Sequence, residues 1–157
     1  MTNERKPIIG IIGAGQCSQE QQDMACEAGK RIAEKGGIVV CGGLGGIMEG
    51  AARGARAAGG LTLGIIPSSQ KNDANEYIDV VIPTGLGEAR NLLVVRTADV
   101  LIAFPGKYGT LSEMAFALQA GKPLISMSNW KPGEEIIQVT DPIEAAELAL
   151  EFAGGIK

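Results

Sequence analysis

D-V-L-I-A-F-P-G-K-Y-G-T-L-S-E-M-A-F-A-L-Q-A, residues 99–120, is the stretch whose reading decides the fold. Residues 100–104 form a continuous apolar run, the pattern of a strand buried on both faces. Residues 105–109 carry a Pro and two Gly and read as a tight turn. Leu111, Met114, Ala115 and Leu118 then recur at i, i+3, i+4 and i+7, one face of a helix. A turn of this kind leaves free N–H groups at the positive end of a helix, a geometry that holds anions.

The same unit repeats on either side. Residues 8–12 are an apolar run followed by Gly13-Ala14-Gly15. A helix is predicted over 19–35, with Met24, Ala25, Ala28, Ile32 and Ala33 inward and Gly36 as its stop. Residues 38–41 predict a second strand, Gly42-Gly43-Leu44-Gly45-Gly46 a second glycine loop, and 47–58 a helix ended by Gly59-Gly60. Strands over 62–66 and 78–82 flank a polar loop at 67–77. The turn 83–87 leads into a helix at 88–97. Beyond the opening stretch come strands at 123–127 and 136–139, separated by a loop with Trp130 and Pro132. A last helix at 142–152 has Thr140 or Asp141 placed to cap it. Residues 1–6 are polar and expected to be loose.

Strands alternating with helices predict an α/β fold in a single domain spanning 1–157. It is a doubly wound three-layer sandwich around a parallel sheet of about six or seven strands. The glycine loops after residues 12, 41, 82 and 104 then share one edge of the sheet. A ligand cleft belongs where strand order reverses, expected between 8–12 and 100–104.

Composition narrows the chemistry. The chain has 157 residues, a net charge of −4 and no His. Imidazole bases, His-based triads and His metal sites are therefore excluded. No basic stripe marks a general nucleic-acid binder. Three Cys without metal spacing, and no leader or apolar span, place the chain in a reducing cytoplasm with no membrane partner. Any anion site is local, built from helix ends and a few cations.

Four groups of residues are candidates. Gly13-Ala14-Gly15 half-matches a dinucleotide fingerprint. However, Ser18 stands where the third Gly belongs, and no acidic residue ends the second predicted strand. A tight turn with close helix packing is the competing reading. Residues 42–46 hold four Gly in five positions, each costing about 0.5–1 kcal/mol relative to Ala. Close approach to a ligand accounts for them, as does turn geometry. Gly106, Lys107, Tyr108, Gly109 and Thr110 offer N–H groups, a hydroxyl and an ammonium within one turn. Thr110 and Glu113 also match a capping box, which by itself would explain both. Arg90 opposes the dipole of its own helix and so needs a partner, which Glu88, a neighbouring chain or a bound anion would supply. Arg53 and Arg96 read as surface or interface charges. Cys41 is the thiol placed to face the cleft, Tyr108 a candidate aromatic wall, and Trp130 an interface or stacking residue.

P-G-K-Y-G-T-L-S-E (105–113), G-G-L-G-G-I-M-E-G-A (42–51) and G-E-A-R-N (87–91) resemble the Rossmann-like superfamily once labelled "possible lysine decarboxylases". It includes cytokinin-activating phosphoribohydrolases of the Lonely Guy type, small molybdenum cofactor carrier proteins, and a DNA-processing protein that binds single strands. The acidic charge argues against the last. In the hydrolases the loop reads P-G-G-x-G-T-x-x-E. The resemblance then implies that Glu113 assists cleavage between base and ribose 5′-phosphate, with Arg90 anchoring the nucleotide. Gly109 and Thr110 would hold the phosphate. Two departures, Lys107 for the second Gly and the lack of a basic M-H-x-R-K pattern around Arg90, favour the carrier branch. The resemblance to that branch implies binding of the molybdenum cofactor, a phosphorylated pterin, without chemistry, and membership of the superfamily implies a homodimer or homotetramer. The alternative is a nucleoside 5′-monophosphate phosphoribohydrolase. No resident metal is implied.

Overall fold

The computed structural model describes residues 5–155; most of the lead-in expected to be loose lies outside them. Within these residues seven strands form one sheet: β1 (Ile8–Ile12), β2 (Ile38–Cys41), β3 (Thr62–Ile66), β4 (Val80–Pro83), β5 (Val100–Ala103), β6 (Leu124–Ser126) and β7 (Ile137–Gln138). Their order is β4-β3-β2-β1-β5-β6-β7, and every pairing is parallel. Strand order reverses between β1 and β5, whose register sets Ile9 against Val100 and Ile12 against Ala103. The crevice therefore opens where the sequence predicts it.

Among the described residues five helices cover the sheet: α1 (Gln19–Glu34), α2 (Ile47–Ala57), α3 (Arg90–Thr97), α4 (Tyr108–Gln119) and α5 (Pro142–Gly155). Alternation along β5 shows how the layers divide. Val100, Ile102 and Phe104 pack against α1, α2 and α5 through Ala28, Ile32, Ala51, Ala55 and Ala146. Leu101 and Ala103 pack on the other face against Val94 and Val95 of α3 and Met114 and Ala117 of α4. This is the three-layer arrangement expected of strands that are apolar on both faces.

Backbone contact closes the α1–α2 pair. A Cβ on Gly29 would stand 2.1 Å from the Ala51 carbonyl oxygen, and one on Gly54 would stand 1.9 Å from that of Cys26. Ser18 explains the broken dinucleotide fingerprint. Its Oγ accepts from the Gln21 N–H at 3.1 Å, and Gln21 Oε1 accepts from the Ser18 N–H at 3.3 Å, a complete capping box for α1. At Gly13, a Cβ would lie 2.7 Å from the Ile47 side chain, so close helix packing is its role. Asp141 caps α5 by accepting from the Glu144 N–H at 3.0 Å.

Several expectations are corrected. The helix expected at 88–97 is a 3-10 turn, Gly87–Ala89, followed by α3 from Arg90. The strand expected at 78–82 is β4, Val80–Pro83, and Ile78 instead packs in the preceding loop against Cys41, Met48 and Ala52. Most consequential is α4. It starts at Tyr108 with Lys107 as N-cap and no side-chain cap, so Thr110 and Glu113 form no capping box. Its buried stripe is Thr110, Glu113, Met114 and Ala117, while Ala115 is exposed. The cause is the tightness of the turn. A Cβ on Gly106 would lie 2.0 Å from Thr110 Oγ1, so Gly106 lets the threonine pack on the turn and draws it inward.

Candidate functional site

Two loop ends and two helix starts converge at the β1–β5 crevice around a cavity of about 570 Å³. The loop after β1 contributes Gly13, Ala14, Gly15 and Gln16, and the loop after β2 contributes Leu44 and Gly45, with Met48 behind them. α3 supplies Arg90 and Asn91, and α4 supplies Gly109, Thr110 and Glu113 together with its N-cap, Lys107. Two backbone bonds lock the loops together. The Ala14 N–H donates to the Pro105 carbonyl at 3.0 Å, and the Ile47 N–H donates to the Ala14 carbonyl at 3.0 Å. With no side-chain cap on α4, its first-turn N–H groups stay available at the positive end of the helix.

Other residues singled out from the sequence stand behind this wall. Gly42 gives room to Arg90: a Cβ there would meet the guanidinium Nη2 at 2.8 Å and Met48 Sδ at 2.7 Å. Gly43 (φ 77°) and Gly46 (φ 63°) take left-handed backbone conformations, and a Cβ at Gly46 would strike the Ala14 carbonyl oxygen at 2.3 Å. Turn geometry and packing thus account for three of the four glycines in that loop, and only Gly45 reaches the cavity. Gly106 supports Thr110 as described. Tyr108, 79% exposed, lies outside the wall on the rim, tilted against Trp130 at 6.1 Å. The Trp130 Nε1–H donates to the Gly106 carbonyl at 2.9 Å, so this indole braces the turn from behind. Cys41 does not face the cleft. It is fully buried, burial pushes its thiol up to about 11, and its Sγ accepts from the Gly43 N–H at 3.4 Å.

Arg90 and Glu113 dominate the electrostatics. The Arg90 guanidinium is partly desolvated, which lowers its pKa, while Glu113 and Cys41 act in the opposite direction. Its Nη1 donates to Asn91 Oδ1, and its Nε is buried with no partner. Glu113 is 6% exposed, and burial pushes its carboxyl up to about 8 against the opposing pull of Arg90. The ion pairs among the described residues join Arg31 to Glu34 and Glu147, and Arg53 to Asp23; Arg90 and Glu113 form none. Arg53 is thus the surface charge expected.

The raised Glu113 pKa has a testable sign. The folded state holds this proton at pH values where the unfolded chain has lost it. The contribution to stability is therefore full below about pH 4.5 and is lost as pH rises through about 8. Glu113→Gln is expected to unfold at higher denaturant than wild type at pH 8.5. The gap, on the order of a few kcal/mol, should close towards pH 4.5. Parallel denaturation curves across that range would refute the assignment.

Sequence reasoning missed Gln16, Met48 and Asn91. Met48 reads as an ordinary core residue, and Gln16 as a turn residue. Asn91 carried the one available signal, a polar residue on the inward side of a short helix next to Arg90. Among the described residues no cluster of His, Cys, Asp or Glu suits a metal ion, and no helix is long and apolar enough to cross a membrane.

The SLOG cluster4 family model matches residues 6–150. The molybdenum cofactor binding protein of Rippkaea orientalis superposes with a TM-score of 0.85 at 36% identity, over 92% of this chain and 95% of that one. The Moco carrier protein of Chlamydomonas reinhardtii superposes at 0.84 and 32% identity, over 97% and 100%. A cytokinin riboside 5′-monophosphate phosphoribohydrolase of Mycobacterium tuberculosis is 33% identical over 133 residues, 78% of this chain and 71% of that one.

Proposed function

The chain belongs to the SLOG cluster4 family, and from that premise we propose that it binds a phosphorylated heterocycle, the molybdenum cofactor first, and carries it unchanged. One observation carries this reading. Arg90 lines the cavity, and its Nε is buried without an acceptor. Among the described residues no carboxylate pairs with this guanidinium, so its charge stays available to a ligand anion, and charge-assisted hydrogen bonds of that kind are worth about 1.5–3 kcal/mol each. The first-turn N–H groups of α4 around Gly109 and Thr110, with the Lys107 ammonium on the rim, complete the anion set. Leu44 and Met48 offer an apolar wall to a planar ring.

The carrier branch is favoured by likeness over nearly the whole chain to two proteins described by their molybdenum cofactor binding, and by Lys107 in place of a glycine. We place the protein in the cytoplasm, in keeping with three free cysteines among the described residues. We assign it a homodimer or homotetramer, for which Val80, Ile82 and Leu86, 40–54% exposed, provide apolar surface on and beside the edge strand.

A specific observation supports a second reading, a nucleoside 5′-monophosphate phosphoribohydrolase. Glu113, with its pKa near 8, is protonated at neutral pH inside the cavity and is suited to give a proton to a departing base. The two separate on incubation with AMP. Adenine released by wild type and not by Glu113→Gln supports the enzyme. No adenine, with stoichiometric uptake of a fluorescent pterin, supports the carrier.

Arg90→Ala is expected to weaken binding of either ligand about tenfold to a hundredfold at low salt, the worth of a charge-assisted hydrogen bond. The deficit should shrink at high salt because the guanidinium is only partly buried. An unchanged dissociation constant at low ionic strength would remove Arg90 from the site.

A further inference from the structure

We infer that Asn91 is a positioning residue, holding the Arg90 guanidinium in register with the first turn of α4; this rests on the cavity being an anion site. Asn91 is 6% exposed, and a carboxamide so buried is costly unless both halves are paired. Both are. Its Oδ1 accepts from Arg90 Nη1. Its Nδ2 donates to Ser112 Oγ at 3.3 Å, and that hydroxyl donates to the Gly109 carbonyl at 2.7 Å. The relay joins the arginine of α3 to the helix start of α4, two of the sources of positive potential in the cavity.

The Arg90–Asn91 bond is not a by-product of helix geometry. Adjacent residues on a helix point about 100° apart and do not face each other. The arginine must fold back, and it does so over Gly42, where a Cβ would meet Nη2 at 2.8 Å. Once folded back, the guanidinium needs an acceptor on its own helix to fix its rotation, and Asn91 Oδ1 is that acceptor. An aspartate would accept equally well but would cancel the charge meant for the ligand. The neutral amide orients the arginine and leaves its charge intact.

A double-mutant cycle tests this, read as the affinity for AMP at low and high salt, with the nucleotide checked for integrity by chromatography. Asn91→Leu and Arg90→Ala are each expected to weaken binding about tenfold or more and to flatten its salt dependence. The double variant should bind no worse than the weaker single, because without Arg90 there is nothing to orient. Additive losses, or wild-type affinity in Asn91→Leu, overturn the inference. Should Asn91→Leu fail to fold, Ser112→Ala breaks the far half of the relay. It should show a smaller loss that vanishes in the Arg90→Ala background, and a loss that persists there overturns the inference. Where wild type takes up no AMP the same cycle is read with a phosphorylated pterin, and uptake of neither overturns the anion-site reading, and the inference with it.

Discussion

Gly109→Val is expected to abolish binding of the phosphorylated ligand, with a loss of about a hundredfold or more, while the fold survives. Gly109 is the second residue of α4 and lines the cavity. Its backbone is not in the left-handed region, and the nearest atom to a Cβ there is Asn91 Nδ2 at 3.7 Å, an ordinary contact. A valine is therefore accommodated by the protein. Its methyl groups would occupy the space where an anion must approach the first-turn N–H groups. A hundredfold loss corresponds to about 2.7 kcal/mol, within the worth of two charge-assisted hydrogen bonds. Calorimetric titration with AMP or a phosphorylated pterin reads the loss, and an unaltered circular dichroism melt reads the intact fold. Undiminished affinity would move the anion away from α4.

Gly54→Val is expected to have the opposite signature, loss of the fold whatever the ligand. Helix propensity alone predicts that replacing a mid-helix glycine with alanine stabilises by about 0.8–1 kcal/mol. The packing reverses that sign. A Cβ at Gly54 would lie 1.9 Å from the Cys26 carbonyl oxygen and 2.7 Å from its carbon, which are backbone atoms with no rotamer to escape into. α1 and α2 must separate, opening the cluster that holds Ala25, Ala28, Ala51 and Ala55. Overpacking commonly costs about 1–3 kcal/mol, and a backbone clash belongs at or above the top of that range, against a total of about 5–15 kcal/mol for a domain. Gly154→Ala is the contrast, since a Cβ there meets nothing within 4 Å. If urea denaturation shows Gly54→Val as stable as wild type, the two helices are not in backbone contact.

These two substitutions mark how far the sequence could be read. The glycines at 54 and 109 look alike in the chain, each inside or beside a predicted helix. One spares a backbone carbonyl and the other leaves room beside a cavity. The loop at 42–46 shows the same ambiguity. Its glycines suggested a ligand, yet Gly42 clears a path for Arg90 and Gly46 avoids the Ala14 carbonyl. Thr110 and Glu113 sit at capping-box spacing, but the helix begins before them and turns both inward. Only packing reveals that a carboxyl predicted for the helix start lies buried in the wall of the crevice.

What the sequence determined by itself was the architecture and the edge where the site lies. Apolar runs broken by glycine turns, alternating with helical periodicity, are local signals, and burial on both faces of a strand writes them without reference to distant residues. What the tertiary structure alone decided was which side chains meet there. Arg90, Asn91, Ser112 and Glu113 come from separate stretches of chain, and their distances exist only once β1 and β5 lie side by side and draw α3 and α4 onto one face of the sheet. Hydrogen bonds and desolvation depend on angstroms between such stretches, and periodicity along the chain does not encode them.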